Sequence, residues 1–277
     1  MGVGVFSEYL ISKTGLNRIE LSFAYMTGTI LSSLILPFAG KILDHIGARM
    51  MILATGIGLG SSLLFFAQTV ALINSLNPVF SEYLPQSFLA IMVMSLAFFL
   101  LRQFGQGIMA MVSRNVIAKW FDVKRGLVTG LSGIFVSFGF SAAPLIINIL
   151  MNSFGFLGTI LFLSSTCGFG MAFLGWLLYR DRPEECGLFM DGSAKAKASE
   201  YSTTPQNDST LSDAVRSYNF WIFCLGMCSS SLIVTGFTFH IGSIAQTSGL
   251  SRMDAYSIFL PMSVVSVFSY FLSGWAS

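Results

Sequence analysis

Charge is scarce. Charged residues make up 10% of the 277 residues, against about 25% in a soluble domain, and mean hydropathy is +0.74. An ordinary soluble globule is thereby excluded, and 54% hydrophobic residues exclude a disordered chain. A net charge of +2 is too small to argue for nucleic acid as a partner. There are only two histidines, no HExxH, and no pair of acidic residues inside an apolar run. Hydrolytic chemistry therefore has no footing, and the chain is read as something other than an enzyme. The four cysteines, Cys167, Cys186, Cys224 and Cys228, show no CxxC spacing, and three of them fall in apolar runs. They read as small packing residues, with no disulfide framework or zinc site. No cofactor or bound metal is expected. A basic start followed by a short apolar stretch and a small-residue cleavage site is also missing.

What is present is apolar length. Runs long enough to cross a bilayer, about 20 residues each, occupy 20–40, 50–73, 87–113, 127–151, 155–179, 219–246 and 256–277. Residues 1–11 are apolar but short and read as the end of a helix. Lipid offers backbone groups no hydrogen-bond partner, so the runs must be helices. They are continuous rather than alternating, which argues against strands. Twenty-seven glycines suit a bundle whose helices approach closely. The expected loops are 12–19, 41–49, 74–86 (with Asn77-Pro78 and Pro85) and 114–126, with 180–218 as the one long polar segment.

Basic residues set the orientation. Lys41, Arg49, Arg114, Lys119, Lys124, Arg125, Arg180, Arg182, Lys195, Lys197 and Arg216 fall in alternate loops, whereas the opposite loops hold Lys13, Arg18 and Arg252. The first set is placed in the cytoplasm. There is also an internal repeat. Thr14-Gly-Leu-Asn-Arg-Ile-Glu20 matches Ser248-Gly-Leu-Ser-Arg-Met-Asp254 at an offset of 234, each between two apolar runs, and Gly40 maps onto Gly274. Two homologous bundles joined by a cytoplasmic linker are a transporter architecture. On this count the chain is expected to be partial, lacking the start of its first helix and about four helices at its end.

Three segments carry a family resemblance. Gly40-Lys-Ile-Leu-Asp-His-Ile-Gly-Ala-Arg49 resembles the G-x-L-a-D-r-x-G-r-k loop of the major facilitator superfamily, matching at Gly40, Asp44, Gly47 and Arg49. His45 and Ala48 stand where basic residues are usual. In physical terms Gly40 permits close helix contact and Gly47 can supply a turn with positive φ. Asp44 can cap a helix or pair with a cation across the bundle interface. These four residues are the candidate cytoplasmic gate. Trp120-Phe-Asp-Val-Lys-Arg-Gly126, with Gly130, Gly133 and Gly139 following, is similar to the W-F-x-x-r-R-G-x-a-x-G pattern of the monocarboxylate transporter and oxalate–formate antiporter branches. Arg182-Pro-Glu-Glu-Cys-Gly-Leu-Phe-Met-Asp-Gly192 is similar to their R-P-E-x-x-G-l-x-p-D-G linker. The glycine series itself reads as close helix packing.

Arg102 lies near the middle of the run 87–113. An arginine at that depth costs about 2.5–3.5 kcal/mol to insert, so it is retained for a partner or a substrate. It keeps its proton and presents a fork suited to carboxylates. It reads as an anion site, or as a structural arginine bonded to neighbouring carbonyls. Arg102-Gln-Phe-Gly-Gln106 also resembles the superfamily's R-x-x-q-G, with Gly and Gln displaced, and leaves open a coupling or a substrate role. Gln103 and Gln106 are the candidate helpers. His240, in the outer part of run 219–246, is the candidate proton site or an interfacial hydrogen-bonding histidine. Glu8, near the outer surface, is the acid closest to a span.

The expected fold is an all-α membrane protein, a major facilitator helix bundle with about eight of twelve transmembrane helices present. Residues 1–179 form an N-terminal six-helix bundle with a truncated first helix, 180–218 a cytoplasmic linker, and 219–277 the start of the C-terminal bundle. The resemblance implies a secondary active transporter of a small organic anion, a monocarboxylate, in the inner or plasma membrane. Its partners are the bilayer, the anion and, as a symporter or antiporter, protons or a counter-anion. A non-transporting sensor of the same fold, or a carrier of another solute such as a sugar, would share these features.

Overall fold

A computed structural model describes residues 3–80, 85–192, 211–249 and 257–276. Among them there is helix and turn and no strand. Lys195 and Lys197 of the linker, and Arg252 with most of the second copy of the repeat, lie outside the described residues.

Helix α1 spans Val3–Thr14 and α2 spans Arg18–Phe80. Helix α3 spans Gln86–Trp120 and α4 spans Arg125–Leu178. After two short 3-10 turns come α5 (Leu211–Arg216), α6 (Tyr218–Thr247) and α7 (Phe259–Ala276). Two of these are each a pair of spans. Helix α2 breaks at Gly47 (φ 80, ψ 168), and α4 breaks at Gly155 (φ 67, ψ −175). Positive φ with ψ near 180° is essentially a glycine-only conformation. One glycine therefore ends one helix and starts the next, and divides 18–46 from 48–80 and 125–154 from 156–178.

The apolar runs are found as helices, but the loops between them are shorter than expected. Residues 41–46 are helical, and the expected 41–49 loop reduces to Gly47. Helix α2 continues through Pro78 to Phe80, and α3 continues to Trp120, leaving a turn at 121–124 where 114–126 was expected. The reason is that hydropathy marks where the bilayer ends, whereas a helix ends only where its backbone bonds stop. Charged side chains are compatible with the projecting turns.

Close packing is concentrated on particular glycines. A Cβ at Gly168 would lie 2.4 Å from the Gly60 Cα, and one at Gly56 would lie 2.7 Å from the Ala172 backbone. One at Gly175 would lie 2.7 Å from Ile52, and one at Gly28 would lie 2.7 Å from the Phe99 nitrogen. The small residues let 48–80 pack on 156–178, and 18–46 pack on α3, with backbones nearly touching. The series expected to do this fares differently: Gly133 is buried, but Gly139 faces open space. A Cβ at Gly40, also read as a contact glycine, would meet Met111 Sδ at 3.8 Å, an ordinary van der Waals distance.

At the end that the basic-residue count places outside, called the outer end, an aromatic group closes the core. Phe6 meets Phe66 and Phe156 edge-on, Tyr9 stacks on Phe156 at 4.2 Å, and Phe66 packs against Phe98. At the opposite end, expected to be cytoplasmic and called the inner end, Leu43, Met51, Ile52, Ile108 and Val112 form a second apolar group. Large apolar side chains such as Phe135, Leu127, Phe223 and Leu232 cover the outside, as a bilayer requires and water forbids.

The repeat has a structural counterpart. Gly15 (φ 72) and Gly249 (φ 69) both take positive φ at the matched offset, each just after a helix ends. The two helices they follow, α1 and α6, are in contact: Ile241 and Ala245 are buried with Val5 packed against them.

Candidate functional site

The 18–46 span of α2 and α3 run in the same direction, and the line along which they touch carries polar groups. From the outside inward, Gly28 lies against Ser95 and Phe99, and the Ser32 hydroxyl donates to Gln103 Oε1 at 2.8 Å. Arg102, half-buried, sits beside this seam. Its Nη1 donates to the Tyr25 hydroxyl at 3.0 Å, and its guanidinium carbon lies 6.0 Å from the Tyr25 ring centre. Tyr25 in turn meets Phe98 edge-on at 5.4 Å. Among the described residues no carbonyl accepts from Arg102 and no carboxylate pairs with it.

The helix changes character at this point. Residues Gln103–Ile108 form a π-helical segment, a feature frequent at functional sites. The three sequence candidates have different surroundings. Gln103 is 4% exposed with its oxygen taken by Ser32, whereas Gln106 is exposed and makes no hydrogen bond among the described residues. Phe104 of the same segment lies over Gly58, where a Cβ would come within 2.6 Å of its ring. Tyr25 and Ser32 were not legible as site residues. The available signal was a tyrosine and a serine seven residues apart on one helix face.

At the inner end the residues expected to form a gate are arranged otherwise than the sequence suggested. Asp44 is exposed and has no hydrogen bond or ion pair among the described residues. The helix starting after Gly47 is capped from far along the chain by Asp181. Its Oδ1 accepts from the backbone nitrogens of Ala48 and Arg49, the latter at 3.1 Å. Arg49 closes the loop, with its Nε donating to the Trp176 carbonyl at 2.8 Å and its guanidinium 5.2 Å from the Trp176 ring centre. A carboxylate at a helix N-terminus satisfies orphan N–H groups and meets the positive end of the helix dipole.

The same device recurs one turn away. Asp191, itself at φ 59, accepts from the backbone nitrogens of Asp122, Val123 and Lys124 at 2.9–3.3 Å, just ahead of α4. The Trp120 indole donates to the Arg180 carbonyl at 3.2 Å. Residues 180–192 thus tie both inner turns together, and the 47–49, 120–124 and 180–192 segments share one end of the bundle. Desolvation is the largest single influence and raises the Asp191 pKa, but the Lys124, Val123 and Asp122 N–H groups and the Lys124 charge together outweigh it, so its carboxyl is held below the usual 3.8. A depressed acid stabilises above its unfolded pKa, and that contribution disappears as pH falls through the folded value. Asp191→Asn is expected to speed hydrogen exchange of the 122–124 amides several-fold at neutral pH. Unchanged exchange would remove Asp191 as the holder of this turn.

His240 is exposed on α6, one residue before the buried Ile241. It is not brought near Arg102 by any described contact. Glu8 pairs with Arg18 at 2.5 Å, at the outer end. The Asn115 side-chain oxygen, near the inner end of α3, is buried without a hydrogen-bond partner.

Comparison with known proteins bears on the whole chain. The family model described as Major Facilitator Superfamily matches residues 1–277. No curated protein and no solved structure matches.

Proposed function

The chain belongs to the major facilitator superfamily, a family of multi-pass membrane transporters, and from that premise we propose that it carries a small organic anion, a monocarboxylate, across the cell membrane by alternating access. Proton coupling or anion exchange drives the movement. The observation that supports this reading most is the guanidinium of Arg102. It is a permanent cation in an apolar span, half-buried, held by a phenol and paired with no acid among the described residues. A desolvated cation without a carboxylate partner is disposed to take one from a ligand. The carboxylate binds Arg102. Gln103, held by Ser32, and Gln106, one turn on, flank it. Gly40, Asp44, Gly47 and Arg49 form the inner gate, with Asp44 exposed to meet a cation in another state of the cycle. His240 carries the proton.

The test is uptake of labelled lactate, pyruvate, formate and oxalate into proteoliposomes containing the full-length protein, with and without a pH gradient. Losing a charge-assisted fork removes about 1.5–3 kcal/mol, so Arg102→Gln is expected to lower saturable uptake by about 10- to 100-fold. Full-rate transport by the variant would take the anion site away from Arg102. A carrier with no preference for acids over hexoses would favour a sugar.

A further inference from the structure

We infer that Tyr25 is the positioning residue of the anion site, holding the Arg102 guanidinium in one orientation so that its Nε–Nη2 edge is left for a single carboxylate. The inference rests on the reading of Arg102 as the anion site.

A free arginine side chain has many rotamers and five donors, so it binds a carboxylate well only when its plane is fixed beforehand. Here the fixing group is one phenol. The Tyr25 hydroxyl accepts from Nη1 at 3.0 Å. Neither Nε nor Nη2 makes a bond among the described residues. The Tyr25 ring is held in place by Phe98, which is 1% exposed, in an edge-on contact. Phe98 is also packed against Phe66 in the outer aromatic core. The chain of contacts runs from the rigid core through Phe98 and Tyr25 to the guanidinium, so the orientation is set by packing.

The remaining edge matches a carboxylate bidentately. No second cation stands by it among the described contacts. The site therefore suits an acid with one carboxylate and a small body more than a dicarboxylate, whose second charge would remain unpaired.

Tyr25→Phe removes the hydroxyl and keeps the ring against Phe98. In proteoliposome uptake of whichever of the four acids is carried, KM is expected to rise about three- to tenfold, the loss on freeing one ordered side chain. The maximal rate should stay within about twofold, and the melting temperature should be kept. In an Arg102→Lys background, where no fork remains to orient, adding Tyr25→Phe should leave KM unchanged. A KM that is unaltered or lower in Tyr25→Phe overturns the role of Tyr25. If Arg102→Gln has already abolished uptake, the anion site itself survives that result. A KM effect of Tyr25→Phe that persists in full beside Arg102→Lys would also overturn it, since the hydroxyl would then act independently of the guanidinium. If folded wild-type protein shows no saturable uptake of any of the four acids, the anion reading and the role of Tyr25 fall together.

Discussion

Gly168→Leu is expected to leave little folded protein. The methylene group nearest the backbone would sit 2.4 Å from the Gly60 Cα and 2.6 Å from its nitrogen. The obstacle is backbone inside a helix, so no rotamer change relieves it. The spans 48–80 and 156–178 must move apart, and the separation is felt along the whole contact, at Gly56 against Ala172 and at Gly175 against Ile52. The hydrogen bond from the Ser164 hydroxyl to the Gly60 carbonyl, 2.9 Å long, goes with it. Overpacking of this kind costs about 1–3 kcal/mol, and more where neighbours cannot yield. Van der Waals contact is the main force between helices in lipid, so little replaces what is lost. The measurement is the yield of monodisperse protein in detergent and its melting temperature by tryptophan fluorescence. Ser165→Ala, three residues from Gly168 and exposed, serves as the control and should stay within about 0.5 kcal/mol of the parent. Normal yield and melting for Gly168→Leu would mean that the two spans do not meet at this glycine.

Gly47→Ala is expected to be nearly as damaging, for a different reason. Its backbone at φ 80 and ψ 168 is one that a side chain enters at about 1–3 kcal/mol. The new methyl would also lie 2.6–2.8 Å from the Asp181 carboxylate. That group can swing away, but only by leaving the Ala48 and Arg49 nitrogens that it caps, a loss of about 0.5–2 kcal/mol. Together the two amount to about 1.5–5 kcal/mol. Asp181→Ala alone should show only the smaller part. The double variant should fall short of the sum, because the cap is lost once in either case. Melting temperatures of the three variants decide it. Strict additivity would mean that Gly47 and Asp181 are not in contact.

The inner end also explains why a reading confined to residues 40–49 was incomplete. Gly47 makes the positive-φ turn expected of it, and Arg49 lies beside that turn, bonded to Asp181 and Trp176. The carboxylate that serves them is Asp181, which is 134 positions from Gly47 in sequence, and not Asp44 three residues before it. A local spacing rule finds Asp44 because a cap is usually supplied from within a few residues. It has no means of finding one supplied by the far end of another span.

The sequence by itself determined the all-helical membrane-spanning character, since lipid leaves a continuous apolar run no other stable conformation. It determined the order of the spans, which loops share a side, and the 234-residue repeat, which Gly15 and Gly249 express in the same left-handed backbone. It singled out Arg102, because a charge at that depth is conspicuous in any context. The tertiary structure alone decided what each of these groups meets: Tyr25 for Arg102, Ser32 for Gln103, Asp181 for the turn at Gly47, and Gly60 for Gly168. Periodicity and composition act within one helix, whereas these partners are joined by the packing of different helices. That packing depends on which backbones can approach, a property of pairs of surfaces that no single stretch of sequence contains.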